Sequence, residues 1–497
     1  MRRLCGRGAQ LQLGVAACRR DGHKLGASTA ARMRPSPMRP AAVAGESAES
    51  TGMHNAFVIG VDSAPPADVD GVYAGPAADS ADISPAEAAR RSEAGGRAEA
   101  LLQKGEAARG GKWGRCGNRP ARLQAAAAVF AEAAVAYTLA ARFVDAAGCR
   151  ETEAELQGRA EMPGHRTTAL EKAASAYAAA AATSSSGQAS WAADKAVTVL
   201  AGLRGQAEAD GDITAAAGFC EQAATLHALQ ADRQSGGGGI TAGDAGASCL
   251  ARSSQLEAAA ESWEAAAELY HLLAGSVGAA SAVSLRKATD ALQMAATTLG
   301  TAGVESIRLA ASQHSSAAGT AGAGGSAGIA GKDAAGRAAA QFGRCERLLA
   351  DVVAKSLDAL AGDSVINRHY RRANTRVVLK QAVVAVGAEV AAAACGQTSG
   401  RALDLVQKLQ RLEAEAVGLS GGSGLSRLEK NPWTIVLECG AAVGELDEEE
   451  LGAAYIRLGL SRGDDPCQWS WEREVLSSSV MGLRMAADLD DAGLDIC

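Results

Sequence analysis

The residue types that most often do chemistry, histidine and cysteine, are spread singly along this chain. The seven histidines (His23, His54, His165, His227, His271, His314 and His369) include no i, i+4 pair, the spacing that sets two imidazoles on one helix face to hold zinc. Among the eleven cysteines there is no C-x-x-C pair; Cys116, Cys149, Cys220, Cys249, Cys345, Cys395 and Cys439 stand alone, a pattern that suits free thiols in a reducing compartment. A G-x-x-x-x-G-K-S/T loop is missing, and the glycine runs lie in Ala/Gly/Ser stretches instead of between a strand and a helix, so no phosphate cradle is expected. Ser, His and Asp can be picked from any chain of this length, but no nucleophile elbow supports such a set. The reading is of a protein with no metal, no cofactor and no catalytic centre.

One aromatic residue has a chemical setting of its own. Trp113 lies in the Gly- and Arg-rich stretch Gly110-Gly111-Lys112-Trp113-Gly114-Arg115. An exposed ring between Lys112 and Arg115 is suited to a lipid headgroup interface, where the ring inserts and the cations meet anionic lipid. Folding back onto the neighbouring helices as a local cap is the alternative for the same residue.

The elements that would carry these residues are helices. Of 497 residues, 47% are hydrophobic but only 3% aromatic, alanine dominates, and there are only 11 prolines. Alanine loses no side-chain entropy in a helix and lets helices approach closely, so the bias predicts packed helices. A net charge of −7 lacks the basic stripe that phosphate neutralisation needs, which excludes nucleic acid as a partner. No apolar run of membrane-spanning length free of charges or breakers is apparent, so any membrane contact is expected to be peripheral.

A recurring unit sets the architecture. Phe130, Ala133, Ala134 and Tyr137 form a quartet with a larger residue at i, alanines at i+3 and i+4, and a ring at i+7; Leu170, Ala173, Ala174 and Tyr177 repeat it. Cys220, Ala223, Ala224 and His227, then Trp263, Ala266, Ala267 and Tyr270, repeat it again. That spacing stacks each quartet on one helix face, and an acid sits beside each, at Glu132, Glu171, Glu221 and Glu264. The units recur about 40 to 50 residues apart, the length of a helix pair in a repeat solenoid. Helices are expected over 86–109, 121–142, 144–160, 166–182, 189–209 and 213–230, with Gly211 as a turn and Asp212 as an N-cap. Further helical patterning runs over 333–361, 366–395 and 400–417, then 425–442 and from Glu445 onward; 235–239 and 315–331 read as loops.

The resulting expectation is an all-α, tetratricopeptide-like right-handed solenoid of antiparallel helix pairs with a C-terminal helical bundle. Residues 1–90 read as a disordered extension, 91–310 as the solenoid, 311–332 as an Ala/Gly/Ser linker, 333–463 as the bundle and 464–497 as an acidic, apolar tail. The first 45 residues carry Arg2, Arg3, Arg7, Arg19, Arg20, Arg32, Arg34 and Arg39 against Asp21 alone, the composition of an organelle transit peptide; a basic tail with no targeting role is the alternative.

The order of motifs resembles a family, the soluble NSF attachment proteins of the gamma type. The resemblance runs from Ala98–Ala108 past Trp113, through Phe130–Tyr137 and the aromatic-led turn Arg142-Phe143-Val144-Asp145-Ala146-Ala147, to Leu170–Tyr177. It returns at Tyr455-Ile456-Arg457-Leu458-Gly459-Leu460, after the acidic run Glu448–Glu450, and at the ending Asp490-Asp491-Ala492-Gly493-Leu494-Asp495-Ile496-Cys497. The stretch between Leu460 and this ending, with Trp469 and Trp471, is longer than the family pattern.

The resemblance implies a cytoplasmic, peripherally membrane-attached adaptor that binds syntaxin-type SNARE complexes and recruits and stimulates the NSF ATPase, which dismantles them. It implies that the loop with Lys112, Trp113 and Arg115 attaches to membrane. It also implies a basic face toward an acidic SNARE bundle, for which Lys172, Lys195, Arg368, Arg371, Arg372, Arg376 and Lys380 are candidates, the run Arg368–Arg376 being densest. Asp490, Asp491, Leu494 and Ile496 would form the tail that stimulates the ATPase. A tetratricopeptide scaffold or co-chaperone that captures a peptide is the competing reading.

Overall fold

Helix follows helix along the chain. A computed structural model describes residues 84–110, 118–184, 186–235, 242–275, 279–318, 324–359, 364–397, 402–420, 425, 427–460 and 469–494, all within one compact unit spanning 74–497. Among the described residues there are fourteen helices and no strand. They are α1 (Pro85–Gly110), α2 (Arg119–Leu139), α3 (Phe143–Arg159), α4 (Pro163–Thr183), α5 (Ser186–Asp210), α6 (Ile213–Ser235) and α7 (Ala242–Ala274). They continue as α8 (Ala279–Ala318), α9 (Gly324–Ala359), α10 (Ser364–Ala394), α11 (Ala402–Leu419), α12 (Arg427–Glu445), α13 (Glu448–Leu460) and α14 (Ser470–Leu494). Each helix packs on the next, so the expected all-α solenoid is the observed fold.

The quartets are its stacking faces. Phe130, Ala133, Ala134 and Tyr137 are all buried, as are Ala173, Ala174 and Tyr177, and Ala266, Ala267 and Tyr270. Three quartets fall on α2, α4 and α6, every second helix, but the fourth falls on α7 instead of α8. The alternation therefore shifts by one helix at α7, a change that similar residue spacings conceal in the sequence.

A common stop joins several of these helices. Where α2 ends, the Arg142 amide donates to the Tyr137 carbonyl (2.9 Å) and the Ala141 amide to that of Thr138 (3.0 Å), with Ala141 at φ 57°. The same pair of bonds closes α3 at Glu161–Met162, α5 at Gly211–Asp212, α10 at Gly396–Gln397 and α12 at Leu446–Asp447. Each satisfies carbonyls that the helix end would leave bare and reverses the chain within a few residues. Asp212 then caps α6 by accepting from the Ala215 amide at 3.0 Å, as its position suggested.

The core grows richer toward the C-terminus. A separate small cluster made mostly of alanines, with Leu123, Phe130, Tyr137 and Leu156, holds α1 to α3. The main cluster runs from α3 to α14 and gathers Phe342, Leu349, Val378, Val386, Leu409, Trp433, Leu451 and Leu483. Burying an alanine methyl contributes ~0.8 kcal/mol, against about 1.5–3 kcal/mol for a Leu, Val or Phe side chain, so the two ends are held with different strength.

Two expectations meet a different structure. Residues 315–318 and 324–331, which read as loop from their Ala/Gly/Ser content, extend α8 and open α9. Composition underestimates alanine's helix preference there, and neighbouring helices offset the cost of the glycines. The stretch from 464 onward reads as a tail, yet from Ser470 it forms α14, which packs on α8, α10 and α13 and buries Val475, Leu476, Leu483, Met485 and Ala486. With the α10–α12 contact, these returns make the C-terminal part a bundle. Within α10, Ala373–Ala394 is long and apolar enough to cross a membrane by composition, but 83% of its most apolar window is buried inside the protein. It is the central core helix of that bundle.

Candidate functional site: the α10 basic run and the helix docked on it

Two of the α10 cations proposed for partner binding, Arg376 and Lys380, stack on tryptophans at the start of the protein's own α14. Arg376 lies over the ring of Trp469 at 5.2 Å, and Lys380, one turn on, lies over the ring of Trp471 at the same distance. Cations stacked on aromatic faces gain attraction, more so where water is excluded. Trp471 is fixed from its other edge, where Nε1–H donates to the Thr297 carbonyl of α8 at 3.2 Å. Its ring fills the space beside Gly300, where any Cβ would collide with it. A matching close approach occurs further along α14, where Gly482 lets the helix backbone meet Val390 of α10.

Beside Trp471, Glu472 is 2% exposed, and its Oε1 has no hydrogen-bond partner within the protein. Burial raises its carboxyl above the ordinary range, and the attraction of Lys380 pulls it back. Lys380 is lowered by the same burial and supported by Glu472, with Arg376 opposing. Further along the seam, Arg308 of α8 binds Glu474 at 3.1 Å while also binding Glu305 at 2.6 Å, and Arg252 of α7 completes that group at 2.6 Å from Glu305. His314 meets Asp488 at 3.1 Å, and Arg484 meets Glu448 of α13. Acids of α14 thus face Lys380 of α10 and Arg308 and His314 of α8 along much of the helix.

The remaining candidates are scattered. Lys172 and Lys195 are exposed on α4 and α5, and Arg371 is exposed on α10. Arg368 and Arg372 belong to α10, but their side chains lie outside the described residues. Lys112, Trp113 and Arg115 fall in 111–117, outside the described residues, and so does Ile496. Asp490, Asp491 and Leu494 form the last turns of α14, again without described side chains. The structure brings Arg376 and Lys380 together with Trp469, Trp471 and Glu472. In the sequence the two tryptophans stand apart as members of an over-long insertion; their separation from the basic run by roughly 90 residues leaves no local signal.

Chemistry of nucleophiles has little support here. The described cysteines are free, and burial pushes the Cys149 thiol up to about 11 and that of Cys439 to about 12, so both stay protonated at neutral pH. The spacing Gly324-Gly325-Ser326-Ala327-Gly328 formally matches a nucleophile elbow, contrary to the sequence reading, but it opens α9 in a fold with no described strand before it. An open cleft of about 290 Å³ is lined by Glu389, Asp404 and Lys408 between α10 and α11, and a second of about 180 Å³ lies at the α7–α8 turn. Both fall short of the roughly 300–1,000 Å³ usual for small-molecule sites. Comparison of the chain with protein-family models and with curated proteins finds no match.

Proposed function

We propose that the chain is a non-catalytic helical adaptor of the soluble NSF attachment type, which engages SNARE complexes and recruits the NSF ATPase at membrane surfaces. The observation that supports it most is that the motifs carrying the resemblance occur in colinear order and that two of them, Phe130–Tyr137 and Leu170–Tyr177, supply buried helix faces of the solenoid. Such a stack leaves long exposed helix faces, with Lys172, Lys195 and Arg371 among their cations, for an elongated acidic partner. The adaptor works in the cytoplasm, peripheral to membrane, and the Trp113 loop supplies one contact with lipid.

Purified protein tested for co-purification with NSF, with and without assembled SNARE complex, decides this. SNARE-dependent recovery of NSF is expected; its absence rejects the adaptor. Ending the chain after Ala487 keeps the buried residues Val475, Leu476, Leu483, Met485 and Ala486 and removes only the acidic end, so NSF stimulation is expected to fall while helicity is retained. Recovery of chaperone tails without NSF or SNAREs would establish the peptide-binding scaffold instead.

A further inference from the structure

We draw no further inference here: the strongest candidate, the outward face of α2 on which Ala125, Ala128, Val135 and Leu139 stand exposed at helical spacing around Glu132, is an unpartnered apolar helix face, and nothing in the structure shows what covers it.

Discussion

At the scale of single residues, the Lys380–Glu472 neighbours set the pH behaviour of the α14 seam. A carboxyl raised by burial contributes to folding below the ordinary carboxylate range and loses that contribution as pH rises through its raised value; a lowered lysine contributes above its ordinary range and loses it as pH falls through its lowered value. Between those limits both charges are held at a desolvation cost that their attraction only partly offsets. Lys380→Met leaves Glu472 buried without its counter-charge and is expected to cost about 2–3 kcal/mol at neutral pH, below the usual loss for a broken buried pair because Lys380 is partly exposed. Adding Glu472→Leu is expected to recover most of it in a thermal double-mutant cycle. Additive losses would mean that the two groups do not interact. Glu472→Gln is expected to flatten the fall in stability just above the ordinary carboxylate range.

Helix by helix, the stops carry a correctable strain. Ala141 and Glu161 adopt positive φ at positions where a Cβ is disfavoured and glycine is at ease. Ala141→Gly is expected to stabilise the α2–α3 turn by about 0.5–1 kcal/mol, read as a higher Tm with unchanged helicity. An unchanged or lower Tm would show that the turn is held by other means. The helices from 86 to 230 are legible in the sequence because each carries an apolar stripe, and at Gly211 and Asp212 a turn signal separates two of them. The strained stops at Ala141, Glu161 and Leu446 are not, because residues of ordinary helix-forming type hold them and only backbone geometry marks them. Nor is α14, whose seat is made by α8 and α10; a helix that depends on distant partners looks from its own residues like a tail.

On the scale of the whole described fold, stability is graded. The first three helices close around a small, alanine-rich cluster of their own, while α8 to α10 share the largest aliphatic core. Solenoid stability sums local and nearest-neighbour terms, so opening is cheapest where the burial per residue is least. Amide exchange by mass spectrometry is expected to run at least tenfold faster in α1–α3 than in α8–α10; uniform protection would contradict this gradient. The candidate partner face is legible only as charge type, since the sequence holds the cations but not which of them stack on another element. Arg376, still exposed, and half-buried Lys380 illustrate it: the tryptophans beneath them lie about 90 positions downstream.

The bond from Trp471 to the Thr297 carbonyl joins positions 174 apart. A ribosome adds roughly 5–20 residues each second, so the cleft beside Gly300 waits about 9–35 s for the ring that fills it. Throughout that interval the nascent chain presents an unfilled apolar notch, which makes it a natural client for holding chaperones until α14 emerges.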